Sequence, residues 1–393
     1  MSPLAAHLKI PPARYGKRIA RARQRAIETG LEALLIGVGP DLDYLAGYRA
    51  MPLERLTMLV VPVTGPATLV VPRLEATPAR GCPAAVGGFV DVASWDETDD
   101  PVALVGGLLA EATGRPADQL GRLAVSDRLW AMHVLRIQEH LPSARLESAG
   151  GVLGALRMIK DRDEIELLRL AAEAADRVVV QVAGGRLVGR TEADVAREVR
   201  ERLLAEGHEL AEFSIVGSGP NSASPHHEAS ERIIQAGEPI VLDIGGTLGG
   251  YGSDITRTIW VTGGDPTKGP DEAFLHLFAV LRAAQSRATA AVAPGVPCER
   301  IDATARAIID AEGYGEQFIH RTGHGIGLEG HEEPYLVTGN AEPLQPGMAF
   351  SIEPGIYFDG QYGARLEDIV VCGEDGPLVL NQAPLDLYVV DGV

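Results

Sequence analysis

Short apolar runs recur along this chain, and what separates them changes near its middle. In the first part, residues 34–38, 57–62, 67–72 and 123–125 are nearly continuous in Leu, Val and Ile, which predicts buried strands rather than half-exposed ones. Between them, 102–112 and 128–140 carry helical patterning, and the charge-rich stretch 18–28 predicts an exposed helix. The pattern is that of an α/β domain ending near residue 150, so two domains are expected, 1–150 and 151–393, each long enough to bury a core. In the second, helices are expected at about 161–182, 191–207, 270–292 and 299–313. Thr191-Glu192-Ala193-Asp194 has the form of a capped helix start, and Pro294-Gly295 with Pro297 is a breaker. No short-period repeat or low-complexity segment is visible.

Charged residues interrupt the strands of the second domain at chosen places. Asp243 breaks the apolar run 239–246, and Asp254 sits in the β-rich run 251–261. The glycine-rich stretch 245–252 between them suits a hairpin turning near Leu248-Gly249, which would bring the two aspartates, eleven positions apart, close together. Two carboxylates at that range repel, and without a cation one of them would hold a proton at neutral pH.

Further on, residues 320–332 pack three histidines and four glycines into 13 positions. Glycine permits close backbone approach, and histidine supplies a neutral ligand or a proton carrier near pH 7. Glu353 precedes Pro354-Gly355 at the end of an apolar strand. In the strand opening at 362–371, alternation puts Arg365 and Glu367 on one face and Asp368 on the other.

Asp243, Asp254, His324, Glu353 and Glu367, in that order, resemble the ligand set of the creatinase/prolidase/methionine aminopeptidase superfamily, over roughly residues 155–380. The opening Leu156 to Asp161 and the segment Ser218 to His226 are most similar to the proline-specific branch, Xaa-Pro dipeptidase and Xaa-Pro aminopeptidase. Pro40 to Tyr48 loosely resembles the creatinase-type N-terminal domain. The resemblance implies an α/β N-terminal domain followed by an α+β pita-bread catalytic domain, and two divalent cations. Asp243 and Asp254 would hold one; Asp254 and Glu367 would bridge to a second completed by His324 and Glu353. Oxygen-rich ligation with one imidazole suits manganese, with cobalt, zinc or iron as other occupants.

The same resemblance implies a metal-bridging hydroxide as nucleophile, Glu353 as proton shuttle, and His226 and His331 as hydrogen-bonding groups for the substrate carbonyl and tetrahedral intermediate. His227 is a second candidate beside His226, and His320 is expected to support rather than catalyse. Arg365 is open to two readings: a fork for a substrate carboxylate, or a salt bridge to a ligand carboxylate.

The expected substrate is a short proline-containing peptide, cleaved as a dipeptide or, alternatively, from the N-terminus of a longer one. A metal-dependent small-molecule amidohydrolase of the ectoine-hydrolase kind stays open. Metal-free creatinase chemistry and a non-enzymatic binding module both sit poorly with a full ligand set, and a methionine aminopeptidase poorly with the large N-terminal domain.

A net charge of −19, from 35 basic and 54 acidic residues, disfavours nucleic acid as a partner. Cys82, Cys298 and Cys372 lie outside every motif and lack zinc-ligand spacing, so they are expected to be ordinary buried thiols. No run reaches the length of a membrane span, and the opening residues lack a signal-peptide core. A cytoplasmic homodimer is therefore expected, dimerisation being a common role of the N-terminal domain in the superfamily.

Overall fold

The computed structural model describes residues 9–393. They divide into two compact units, Ile10–Arg157 and Met158–Val393. The helix Gly150–Met158, most of which the sequence division gives to the second domain, groups with the first as far as Arg157.

The first unit is built on a six-stranded mixed sheet, in the order Asp91–Trp95, Thr68–Pro72, Met58–Pro62, Ala33–Gly37, Arg122–Val125 and Arg145–Ser148. Its central strands are buried at every position, which is why they read as unbroken apolar runs. The outer strands Asp91–Trp95 and Arg145–Ser148 escape the sequence pattern because they are largely exposed and carry little apolar signal. The first helix runs Pro12–Glu28, longer than its charged stretch suggests, and it is amphipathic rather than exposed: Tyr15, Ile19, Ala22 and Ala26 are buried. The helix expected at 128–140 starts at Ala131, after a turn in which Leu129 N donates to Ser126 O.

The second unit repeats one plan twice. Helices Arg162–Ala183 and Glu192–Ala205 precede the antiparallel strands Leu210–Ser218, Glu238–Leu248 and Tyr251–Val261, with Tyr388–Val390 added in parallel at the edge. Helices Glu272–Ala290 and Cys298–Ala311 then precede a five-stranded sheet and a two-stranded ribbon, Gly355–Phe358 with Tyr362–Arg365. The sheet order is Glu332–Leu336, Gly323–Gly325, Ala349–Ile352, Asp368–Cys372 and Pro377–Val379. Each half has its own apolar cluster. This is the α+β pita-bread arrangement.

Local chemistry sets the helix starts. Asp161 accepts from the N–H groups of Asp163 and Glu164 while Glu164 reaches back to Asp161 N, a reciprocal cap; Thr191 Oγ accepts from Asp194 N at 3.1 Å. The long hairpin turns at Gly249 and Gly250, whose φ values of +60° and +85° only glycine adopts cheaply. Leu248 therefore pairs with Tyr251, one position later than the sequence suggests. Asp243 falls opposite Thr256 and Asp254 opposite Gly245, so the two aspartates are diagonal neighbours on one face.

Candidate metal centre

Four elements aim acidic or imidazole groups at one point. The hairpin strands supply Asp243 and Asp254, the short strand Gly323–Gly325 supplies His324, the end of Ala349–Ile352 supplies Glu353, and the bend before Asp368–Cys372 supplies Glu367. Glu367 is tied to the hairpin across the two halves: its N–H donates to Thr256 O at 3.1 Å, and Thr256 Oγ1 donates to its Oε2 at 2.6 Å. His324 reaches the centre because its flanking glycines let the strand lie against its neighbours. A Cβ on Gly323 would overlap Ser351 O, and one on Gly325 would overlap Glu333 O.

The ligand atoms of Asp254, His324 and Glu367 all lie within 4.8 Å of one another. His324 Nε2 is 3.2 Å from Glu353 Oε1 and 3.7 Å from Asp254 Oδ2. Its Nδ1 faces Gly325 O at 3.2 Å and donates there, which leaves the Nε2 lone pair directed at the carboxylates. Burial, with the charge of His331, pulls the His324 pKa down to about 3, so the ring is neutral and competent as a ligand.

The carboxylates show the opposite strain. Burial, then repulsion from Glu367 and Asp243, pushes Asp254 well above the usual carboxylate range, and burial with Glu353 and Asp243 does the same to Glu367. Burial raises Glu353 to about 7. Asp243 Oδ1 and Glu367 Oε1 are buried without any hydrogen-bond partner. Orphaned acceptors and mutually repelling acids packed around a neutral imidazole fit divalent cations, and oxygen ligands with one nitrogen fit hard ones.

The same cavity, about 570 Å³, is lined by Asp243, Asp254, His324, Glu353, Arg365 and Glu367, together with His226 and His331. His331 stacks on His324 with ring centroids 3.6 Å apart. His320 also borders it, linked in a chain: Arg365 Nη1 donates to Tyr357 Oη at 2.8 Å, Tyr357 Oη donates to His320 Nε2 at 3.0 Å, and His320 Nδ1 donates to Arg321 O at 2.7 Å. Asp368 points elsewhere, accepting from Arg257 at 2.6 Å and Gln285 at 3.1 Å. The three cysteines are buried, free and absent from the cavity wall.

For two residues, Arg365 and His227, the sequence leaves alternatives. Arg365 spends four N–H bonds inside the protein: Nε on Thr256 Oγ1 (3.0 Å), Nη1 on Tyr357, and Nη2 on Asp243 Oδ2 (2.5 Å) and Pro225 O (3.2 Å). The geometry is that of a salt bridge to the Asp243 carboxylate, with little left for a substrate. His227 turns away from the cavity and meets Glu192 Oε2 at 2.8 Å.

Glu192 had registered in the sequence only as part of a helix start. Fully buried, it accepts from Ser218 N (2.8 Å), Ser218 Oγ (2.7 Å), Asn221 Nδ2 (3.0 Å), Ser230 N (3.1 Å) and Ser230 Oγ (2.7 Å) as well as His227. Burial pushes its pKa up, but hydrogen bonds from Ser230, His227 and Ser218 outweigh that and bring it down to about 2. One carboxylate thus secures both ends of the loop that presents His226. Asp302 does a similar task in the other half. It accepts from Thr322 N at 3.1 Å and Thr322 Oγ1 at 2.8 Å, and forms a two-pronged pair with Arg306.

Residues 166–374 match the model of Metallopeptidase family M24, and 18–159 match the Creatinase/Prolidase N-terminal domain. The chain belongs to metallopeptidase family M24. Among its M24 relatives, "Probable dipeptidase PepE" of Mycobacterium tuberculosis is 46% identical over 377 residues, covering 96% of this chain and 96% of that protein. The crystal structure of dipeptidase PepE from Mycobacterium ulcerans superposes with a TM-score of 0.89 at 44% identity, over 97% of this chain and 99% of that one. A prolidase from Thermococcus sibiricus gives 0.87 at 35% identity, over 95% and 99%. Membership of M24 makes this chain a divalent-metal-dependent hydrolase of peptides, consistent with the donor set. Among the described residues, no helix is long and apolar enough to cross a membrane.

Proposed function

We propose that this protein is an Xaa-Pro dipeptidase. The observation that carries the reading is the convergence of Asp243, Asp254, His324, Glu353 and Glu367 on one cavity wall, with two buried carboxylate oxygens awaiting a partner. The names of the M24 relatives, dipeptidase and prolidase, point to the same substrate class. Two manganese ions, a homodimer and a cytoplasmic location complete the reading.

When bound, the cations supply a deprotonated water at neutral pH and Lewis acidity toward the scissile carbonyl. The protein's own groups do the rest. Glu353, whose Oε1 accepts from Ser351 Oγ at 3.1 Å, carries the proton from the nucleophile to the leaving nitrogen. His226 and His331 donate to the carbonyl oxygen as negative charge gathers on it. The proline leaving group is a tertiary amide without N–H, so it must receive a proton to depart, and Phe213, Ile215 and Ile319 on the cavity wall offer apolar surface for its ring.

The test is release of alanine by the manganese-loaded protein from Ala-Pro and from Ala-Pro-Ala, with and without chelator. Chelator-sensitive cleavage of Ala-Pro, with little of the tripeptide, is expected. Efficient tripeptide cleavage would make the protein an Xaa-Pro aminopeptidase, and silence on both would point to a non-peptide amide.

A further inference from the structure

A dipeptide brings a free carboxylate to within one residue of the scissile bond. Two divalent cations offset the charge of Asp243, Asp254, Glu353 and Glu367 on that wall, so the chain-end carboxylate needs a partner of its own that holds it in a fixed direction. Two arginines border the cavity, Arg321 and Arg365. Arg365 is almost wholly engaged by Asp243, Thr256, Tyr357 and Pro225.

Arg321 is differently placed. Half-buried, its guanidinium lies 4.2 Å over the Tyr335 ring and has no hydrogen bond or ion pair with any described residue. Stacking fixes the plane of the group while leaving its N–H edges open, which is the state in which arginine binds a carboxylate with two parallel bonds. Its backbone is anchored on both sides. Arg321 O takes the proton of His320 Nδ1 at 2.7 Å, Thr322 is held by Asp302, and Thr322 O accepts from Glu353 N at 2.8 Å. The fork therefore stands on a base tied directly to the metal-side carboxylate.

We propose that Arg321, stacked on Tyr335, is the residue that grips the C-terminal carboxylate of the substrate and so limits it to two residues. This rests on the dipeptidase reading and moves the anchoring role from Arg365 to Arg321. Nothing in the general chemistry of the metal centre requires it, since the centre acts on the amide and not on the chain end.

The experiment compares kcat/KM on Ala-Pro, Ala-Pro-amide and Ala-Pro-Ala for the manganese-loaded wild type, R321Q and R321K. Wild type should prefer the free acid. In R321Q the acid-to-amide preference should collapse about tenfold or more, chiefly through KM, because a charge-assisted pair has been lost. R321K, with a charge but no planar fork, should fall between; it also carries the test if R321Q folds poorly, which a thermal melt reports. An unchanged acid-to-amide ratio in both variants, with wild type active on the dipeptide, overturns the Arg321 assignment alone. Wild type silent on all three peptides, or favouring the tripeptide, overturns the dipeptidase reading and this assignment together.

Discussion

Glu192 and the Asp254–Glu367 pair are acids closed off from solvent in one catalytic unit, yet their protonation is driven in opposite directions. Glu192 comes down to about 2, while Asp254 and Glu367 rise well above the ordinary range. Burial raises all three, and raises the more deeply set pair further; the inventory of donors then decides the direction. Glu192 faces serine hydroxyls, backbone N–H groups, an amide and an imidazole, whereas the pair face other carboxylates and leave Glu367 Oε1 with no partner. A satisfied buried charge holds a loop in place, and a cluster of mutually repelling acids fits divalent cations.

The sharpest way to break the contrast is at the cluster. Asp254→Asn or Glu367→Gln should release at least one metal, measured by elemental analysis of the purified protein. Activity should fall on the order of a hundredfold or more, since removing even outer-shell partners of a metal costs ten- to a hundredfold. Full activity in either variant would end the two-cation assignment.

At the other pole, Glu192→Gln would set an amide N–H₂ among existing donors. A loss of about 2–4 kcal/mol in urea unfolding is expected, from donors left without an acceptor. Activity should fall with it as the His226 loop loosens, and Glu192→Asp should recover part of both. The acid response follows from the sign of the shift. A folded value of about 2 against an ordinary 4.5 means that Glu192 contributes stability fully above about pH 4.5, and that this is lost as the pH drops toward 2. The variant should lack that part of the acid transition.

The smallest effect is a tilt with pH. Raised carboxylates bind more protons folded than unfolded, so chelated protein should lose stability as pH rises from about 5 to about 8. Manganese competes with those protons, so its stabilising shift in melting temperature should be larger at the higher pH, by several degrees. An equal shift at both values would mean that the cluster titrates as ordinary exposed acids do.

Much of this was legible beforehand, for identifiable reasons. Fully buried strands such as Met58–Pro62 announce themselves by composition, and the ligands stand out because acids such as Asp243 have no business in an apolar run unless paired. Arg365 and Glu367 both border the cavity while Asp368 points away, although the chain bends between them rather than continuing as one strand. Other features depend on partners far along the chain. Glu192 is the third-dimensional neighbour of residues 218–230, and Arg321 differs from Arg365 only in who is near it; local pattern carries neither fact. Exposed outer strands such as Arg145–Ser148 were invisible for want of an apolar face.

The glycines on either side of His324 reach beyond the geometry of one ligand. Since a side chain at 323 or 325 would collide with main-chain oxygens of adjoining strands, no substitution there can be absorbed by repacking. Any lineage exploring new substrates on this scaffold must leave that triplet alone and diversify elsewhere on the cavity wall, at places such as Phe213, Ile319 and Arg321. Selectivity is free to drift while the hydrolytic engine is sterically locked.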